Sequence, residues 1–341
     1  MAGKLGVKSR LQTGLSITRE NVYQIRRLAD LGSDRKRPTS HPPPGSGSIA
    51  TIGENAVSTT TVAERLTGRA LFVRIWKFSL RRVLFPICLL GPFAYFFPKL
   101  ALFYAVCGAY DVSRNSGLNL STLRRYFIGN GFPTWLLSPF NTLLDLLSLP
   151  YVNKGVYRLE DLPPAYQDEV KQLIQATKET DIVAQLEEAA KKFPRTMVFF
   201  RWYGVDKETF LDVPGFRRPW KYIETIGVSV FNKKVSTSLH FGFMRASLRI
   251  LYNLKDMNDD SAYIVVGNNT SYWRENKLFI FDDTLLHQSF NETDQTRYCL
   301  FVDMIRPTPF PAVMRSVISG IRFLTQSFKF VYYQNWKLIE R

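Results

Sequence analysis

The sequence predicts an α+β chain whose β part is a sandwich or small barrel, with helices before and after it. Three observations predict this. Short strand-like runs punctuated by turn residues fill residues 229–307. Residues 165–193 carry apolar side chains at helical spacing (Val170, Leu173, Ile174, Ile182, Val183, Leu186) among charged neighbours. An uncharged run over 83–98 is followed, after Lys99, by a second apolar run over 100–110.

In the β part, residues 247–254 alternate. Leu248, Ile250, Tyr252 and Leu254 take one face, and Arg249, Leu251 and Asn253 the other. Lys277-Leu278-Phe279-Ile280-Phe281 is apolar on both faces, as in a strand buried between two layers. Arg297-Tyr298-Cys299-Leu300-Phe301-Val302 reads as a further strand, and Asn268-Asn269 and Asn291-Glu292 as turns.

The same stretch holds two of the chain's three histidines, His240 and His287, with Ser229, Arg249 and Arg297 nearby. Neutral imidazole is the commonest side-chain ligand for iron, zinc or copper. Two imidazoles leave coordination positions open for a chelating ligand, and arginine pairs a carboxylate through its planar fork. Two ordinary core or surface histidines fit the spacing as well.

The stretch resembles the aspartyl/asparaginyl β-hydroxylase family of iron(II)- and 2-oxoglutarate-dependent dioxygenases, closest to its bacterial lipid A hydroxylase branch. His240-Phe241-Gly242 matches the first metal-histidine segment. Phe281-Asp282-Asp283-Thr284, followed by His287, matches the second. Asn291-Glu292-Thr293-Asp294-Gln295-Thr296-Arg297 matches the loop to the cosubstrate arginine, and Asp303-Met304-Ile305-Arg306-Pro307 the closing strand. Upstream, the segment that begins Ser138-Pro139-Phe140-Asn141 and Phe200-Arg201-Trp202-Tyr203-Gly204 resemble segments of the lipid A branch. The resemblance implies a double-stranded β-helix core of jelly-roll or cupin type. It also implies that His240 and His287 hold iron(II), and that Arg297, Arg249 and Ser229 bind 2-oxoglutarate. Decarboxylation of 2-oxoglutarate would then accompany hydroxylation of a C–H bond.

Two positions depart from the family. Gly242 stands where some members, including the lipid A branch, carry an acid; the animal peptide hydroxylases also have glycine there. Leu251 stands where the family usually has histidine. By alternation it shares the face of Arg249, and leucine cannot donate a hydrogen bond to the cosubstrate.

Composition bounds the rest. The 341 residues are 45% hydrophobic, enough for one main domain with appendages, and the formal net charge is +16. Acidic lipid or an acidic partner answers to that charge. No nucleic-acid motif, zinc spacing or phosphate loop is present, so nucleic acid is not an expected partner. Cys88, Cys107 and Cys299 form no disulfide framework.

The expected organisation has five parts. Residues 1–61 are a basic, Pro/Gly-rich extension whose first 36 residues fit a mitochondrial targeting segment or a solvated basic tail. Residues 62–111 hold a basic helix and an apolar membrane segment, either one kinked span or a re-entrant hairpin. Residues 112–194 are helical, 195–307 form the hydroxylase-like domain, and 308–341 form a basic, aromatic helix for a membrane surface or a partner. The expected function is a membrane-attached iron(II)/2-oxoglutarate hydroxylase acting on an acyl chain or an Asp/Asn side chain. The alternative is a weakened or inactive hydroxylase fold with a structural role in a membrane protein complex. The membrane is expected to be the mitochondrial inner membrane or the endoplasmic reticulum.

Overall fold

The computed structural model describes residues 85–115, 117–191, 193–326 and 337–338. The chain divides into two units, residues 1–67 and 68–341, and all described residues lie in the second. The extension over 1–61, the basic helix expected over 62–82 and the aromatic tail over 327–336 lie outside the described residues.

Five helices lead the described part: α1 (Phe85–Phe96), α2 (Pro98–Ser113), α3 (Leu120–Ile128), α4 (Phe132–Leu136) and α5 (Ser138–Leu147). After β1 (Val156–Tyr157) come α6 (Pro164–Ala176) and α7 (Ile182–Lys191), matching the amphipathic stretch. Then follow β2 (Arg195–Trp202), β3 (Val205–Asp206), β4 (Ile223–Phe231), β5 (Val235–Ser236), β6 (Ser247–Asn253), β7 (Ala262–Val266) and β8 (Asn269–Tyr272). The chain continues through β9 (Leu278–Phe281), β10 (His287–Asn291), β11 (Arg297–Ile305), α8 (Pro311–Gln326) and β12 (Lys337–Leu338).

The strands make two sheets. The larger runs β1-β9-β6-β11-β4-β2-β12 with β3 on β2; the smaller runs β5-β10-β7-β8. All pairings are antiparallel except β12 on β2. From β4 onward the chain passes repeatedly between the sheets.

Alternation along β6 explains the layering. Leu248 and Ile250 join Val228, Val302 and the inner residues Val170, Leu173 and Leu186 of α6 and α7 in one core. On the other face Leu251 joins Phe279, Phe281, Ala262, Ile264 and Val266 in a core between the sheets. The larger sheet is therefore covered on both sides, which is why β9 is apolar on both faces.

Over its described residues, 85–110, the apolar run is two helices rather than one. It forms α1 and α2, which bend toward each other at Phe97, so that the ring of Phe93 meets that of Tyr104 edge-on at 6.2 Å. Pro98 cannot donate the backbone hydrogen bond that a straight continuation needs. Among the described residues no helix is long and apolar enough to cross a membrane.

Helix α8 also differs from a free surface helix. Met314 and Ile318 are buried against Leu144 of α5, Ala246 and Ile305. Arg315 pairs with the buried Glu224 of β4 at 2.9 Å. Arg322 donates to the carbonyl of Tyr203 at 2.9 Å, in the β2–β3 turn. That turn has positive φ at both Tyr203 (44°) and Gly204 (82°), the conformation that suits a two-residue hairpin.

A buried charge network joins the leading helices to the sheets. Arg245, before β6, is fully buried and pairs with Asp111 of α2 and, at 2.5 Å, with Asp145 of α5. Arg306, after β11, reaches Asp145 at 2.7 Å, and Arg114 reaches Asp282 at 2.8 Å. Burial raises the Asp282 carboxyl, but the guanidinium groups of Arg114, Arg245 and Arg306 outweigh it and hold its pKa well below the usual range. Its stabilising contribution is therefore present above about pH 4 and lost as pH falls below that. Replacing Arg245 by alanine would leave the carboxylates around it uncompensated. The Arg245→Ala protein is expected to lose about 3–5 kcal/mol of stability, read as a lowered urea midpoint; an unchanged midpoint contradicts the network's role.

Candidate functional site

Backbone pairing brings the two histidines together. His240 donates its N–H to the His287 carbonyl at 3.1 Å, and His287 returns the bond at 2.9 Å. Directly opposed residues of an antiparallel pair project to the same side, and the ring centroids stand 4.2 Å apart. His240 Nδ1 lies 2.7 Å from the Ser238 carbonyl, and His287 Nδ1 2.8 Å from that of Leu285. A carbonyl only accepts, so each Nδ1 carries the proton and each Nε2 keeps its lone pair. Burial lowers both pKa values, that of His287 well below its ordinary value, with the neighbouring His240 adding to it. Both rings are neutral at pH 7, the form that binds metal.

The leading helices stake down the His240 segment. Arg125 and Asn130 donate to the Leu239 carbonyl at 3.2 and 2.7 Å, and Thr134 to that of Gly242 at 2.7 Å. Asn141 donates to the Phe243 carbonyl at 3.1 Å and accepts from the Arg245 N–H at 3.0 Å. The Ser138-Pro139-Phe140-Asn141 segment thus bears on the site through Asn141. On the His287 side, Asp282 accepts from Thr284 N–H (3.0 Å), Thr284 Oγ1 (2.6 Å) and Asn153 Nδ2 (2.8 Å), fixing the turn that leads into β10.

The missing acid at Gly242 has a structural counterpart. A Cβ on Gly242 would lie 2.5 Å from the carboxyl carbon of Asp283, so Asp283 fills the space a side chain at 242 would need. Asp283 pairs with Arg249 at 3.0 Å. Its side chain is 20% accessible and lines the site cavity, and desolvation pushes its pKa up to about 7 against the pull of Arg249. Among the described residues no group of three or more His, Cys, Asp or Glu stands ready to hold a metal ion; the histidines form a pair.

The other expected residues line the same cavity of about 550 Å³, with Ser229, Arg249, Leu251 and Arg297 along it. Arg249 is more engaged than the sequence implies. It pairs with Asp303 at 2.8 Å as well as with Asp283, and lies over the Phe301 ring at 3.9 Å. Ser229 donates to the Cys299 carbonyl at 3.2 Å. Arg297 is 1% exposed, stacked between Phe231 (4.2 Å) and Trp273 (5.0 Å). Its Nε and Nη1 have no hydrogen-bond partner among the described residues. A buried guanidinium without a counter-ion is unfavourable and is suited to receive an anion. Leu251 faces the cavity, as alternation required.

Sequence reasoning passed over Asp283, quoted only as part of a motif, and Ser289, which lines the cavity two residues beyond His287. The period of two along β10 was the available signal for Ser289; nothing in the sequence placed Asp283 against Gly242. The contact itself is testable. Gly242→Ala is expected to lower the melting temperature through overpacking of about 1–3 kcal/mol. Adding Asp283→Ala should recover part of the loss, whereas strictly additive effects contradict the contact.

Comparison with known proteins agrees with the motifs. Residues 167–307 match the model of the family described as Aspartyl/Asparaginyl beta-hydroxylase. Over 92 residues the chain is 37% identical to an ornithine lipid ester-linked acyl 2-hydroxylase of Rhizobium tropici, covering 26% of this chain and 32% of that protein. The chain thus spans about a third of the length of this curated relative. Among solved structures, an oxidoreductase of the 2OG-Fe(II) oxygenase family from Burkholderia pseudomallei is 10% identical, covering 38% of this chain and 80% of that one, with a TM-score of 0.25. A salicylate 1,2-dioxygenase from Pseudaminobacter salicylatoxidans is also 10% identical, covering 48% and 39%, with a TM-score of 0.24. At such scores neither carries an argument. The motifs read from the sequence and the match over residues 167–307 point to the same family, aspartyl/asparaginyl β-hydroxylase, for that part of the chain.

Proposed function

We propose that this protein is a membrane-attached, iron(II)- and 2-oxoglutarate-dependent hydroxylase acting on an acyl chain. One observation carries the reading: the buried guanidinium of Arg297, whose Nε and Nη1 have no partner among the described residues, shares a cavity with two imidazoles whose Nδ1 atoms are held by carbonyls and whose Nε2 atoms keep their lone pairs. The passage of the chain between two antiparallel sheets supports the double-stranded β-helix reading of the core.

The residues present fit both groups. His240 and His287 would hold iron(II), and Arg297 would pair the far carboxylate of 2-oxoglutarate, with Ser229 beside it on the next level of the larger sheet. When bound, iron and 2-oxoglutarate supply the oxidation of a C–H bond to C–OH by dioxygen, with loss of carbon dioxide from the oxoacid. The chain's own part is positional. The carbonyls of Ser238 and Leu285 orient the imidazoles, Asp283 and Asp303 hold Arg249 in the wall, and Phe231 and Trp273 keep water from Arg297.

Apolar side chains in the cavity lining favour an acyl chain over an Asp or Asn side chain. Beyond the histidines its walls include Trp202, Phe243, Met244 and the α8 residues Ile318 and Ile321. That part of the lining suits a hydrocarbon chain. The Rhizobium tropici relative, by its description an acyl 2-hydroxylase, supports the same substrate class. Membrane attachment is supported by apolar surface on α2 and the packed α5, where Leu102, Phe103, Val106, Leu143 and Leu146 are exposed.

Two measurements test the proposal. The full-length protein, given iron(II), 2-oxoglutarate and oxygen, should add one oxygen to acyl lipids in vesicles and release succinate. Arg297→Ala should abolish both. Oxygen added only to an Asp- or Asn-containing peptide contradicts the substrate class, and no succinate with either substrate favours the inactive, structural alternative. Alkaline carbonate should leave the protein with the membrane fraction; its release intact contradicts attachment.

A further inference from the structure

Among the described residues that line the cavity, one buried polar atom is accounted for by neither the histidine pair nor the two arginines. Ser289 lies two residues along β10 from His287, so its side chain shares the inward face. It is 6% exposed, lines the cavity, and its Oγ has no hydrogen-bond partner among the described residues. Its backbone is fixed, because Thr237 N–H donates to the Ser289 carbonyl at 2.9 Å and Thr237 Oγ1 accepts from the Ser289 N–H at 2.9 Å. A buried, unpaired hydroxyl on a fixed backbone is unfavourable unless something else enters the cavity to meet it.

Strand register says where that partner would lie. One wall carries Arg249 and Leu251 two residues apart on β6, and the other carries His287 and Ser289 two residues apart on β10. The next inward residue on β10, Asn291, donates through Nδ2 to the carbonyl of Phe231 at 3.2 Å, and Arg297 stacks on Phe231. Ser289 therefore lies along β10 between His287 and Asn291, the residue that bonds to the backbone of Phe231, and lines the same cavity as Leu251. Two residues of strand advance about 7 Å, within the reach of a five-carbon diacid held at the imidazoles.

We propose that Ser289 Oγ–H donates a hydrogen bond to a carboxylate oxygen of bound 2-oxoglutarate, replacing the donor that Leu251 does not provide. This rests on the cosubstrate reading given above. It explains how the chain tolerates leucine at 251: the donor has moved from one wall of the cavity to the other. A hydroxyl donating to a carboxylate is among the stronger hydrogen bonds.

The test uses full-length protein in detergent, loaded with Mn(II) as a redox-inert stand-in and titrated calorimetrically with 2-oxoglutarate. Ser289→Ala is expected to weaken binding by roughly tenfold. Ser289→Thr, which keeps the hydroxyl, should stay within about threefold of wild type. In a Leu251→His background the loss caused by Ser289→Ala should shrink, because two donors then serve one ligand. Wild-type affinity in Ser289→Ala overturns the proposal while leaving the cosubstrate reading intact. Equal losses in Ser289→Ala and Ser289→Thr mark Ser289 as a packing residue and also overturn it. No binding by wild type overturns both.

Discussion

Arg245 is the side chain on which the rest of the described structure depends. It is fully buried and meets carboxylates from two leading helices, Asp111 and Asp145, while Asp282 lies 3.8 Å away at the end of β9. Ions taken this far from water are costly unless each is paired, and here Arg114 and Arg306 complete the balance against the same carboxylates. The network therefore accepts few alternative arrangements. It fixes α2 and α5 against the sheets, and it fixes the Asp282 turn from which the chain enters β10 at His287. Helices that sequence alone presents as an appendage are in this way part of the site's foundation.

On that foundation the site divides its charges between two ends. At the histidine end the carboxylates of Asp283 and Asp303 neutralise Arg249, while burial keeps both imidazoles neutral. At the other end Arg297 has aromatic rings in place of a counter-ion. Arg297 Nε and Nη1 have no hydrogen-bond partner among the described residues, so an anionic ligand is directed to that end. Burial disfavours the charged form of Arg297 and lowers its pKa, and an incoming carboxylate would relieve that penalty.

Much of this was legible in the sequence because it follows from period and pairing. The alternation through Arg249 and Leu251, the doubly apolar β9 and the amphipathic residues of α6 and α7 reappear in place. The histidines, Ser229, Arg249 and Arg297 line one cavity, as the family motifs implied. Other features were hidden because they depend on contacts between segments distant in sequence. Nothing local reveals that Asp283 occupies the space beside Gly242, that Arg249 is shared by two aspartates, or that Asn141 bonds to residues more than a hundred positions away. The bend at Phe97 was half legible. The prolines were visible, but whether the apolar run continued or folded back depended on tertiary contact. The charge and aromatic content of residues 308–341 pointed outward to a membrane or partner, whereas Met314 and Ile318 of α8 turn inward to the core.

The central claim is that one cavity chelates iron(II) and 2-oxoglutarate together. Its most direct test is the visible absorption spectrum of the full-length protein under anaerobic conditions, as iron(II) and then 2-oxoglutarate are added. A 2-oxoacid chelated to iron(II) gives a metal-to-ligand charge-transfer band that neither component gives alone. The account predicts that this band appears only when both are present with the wild-type protein. A spectrum that remains the sum of its components would contradict it.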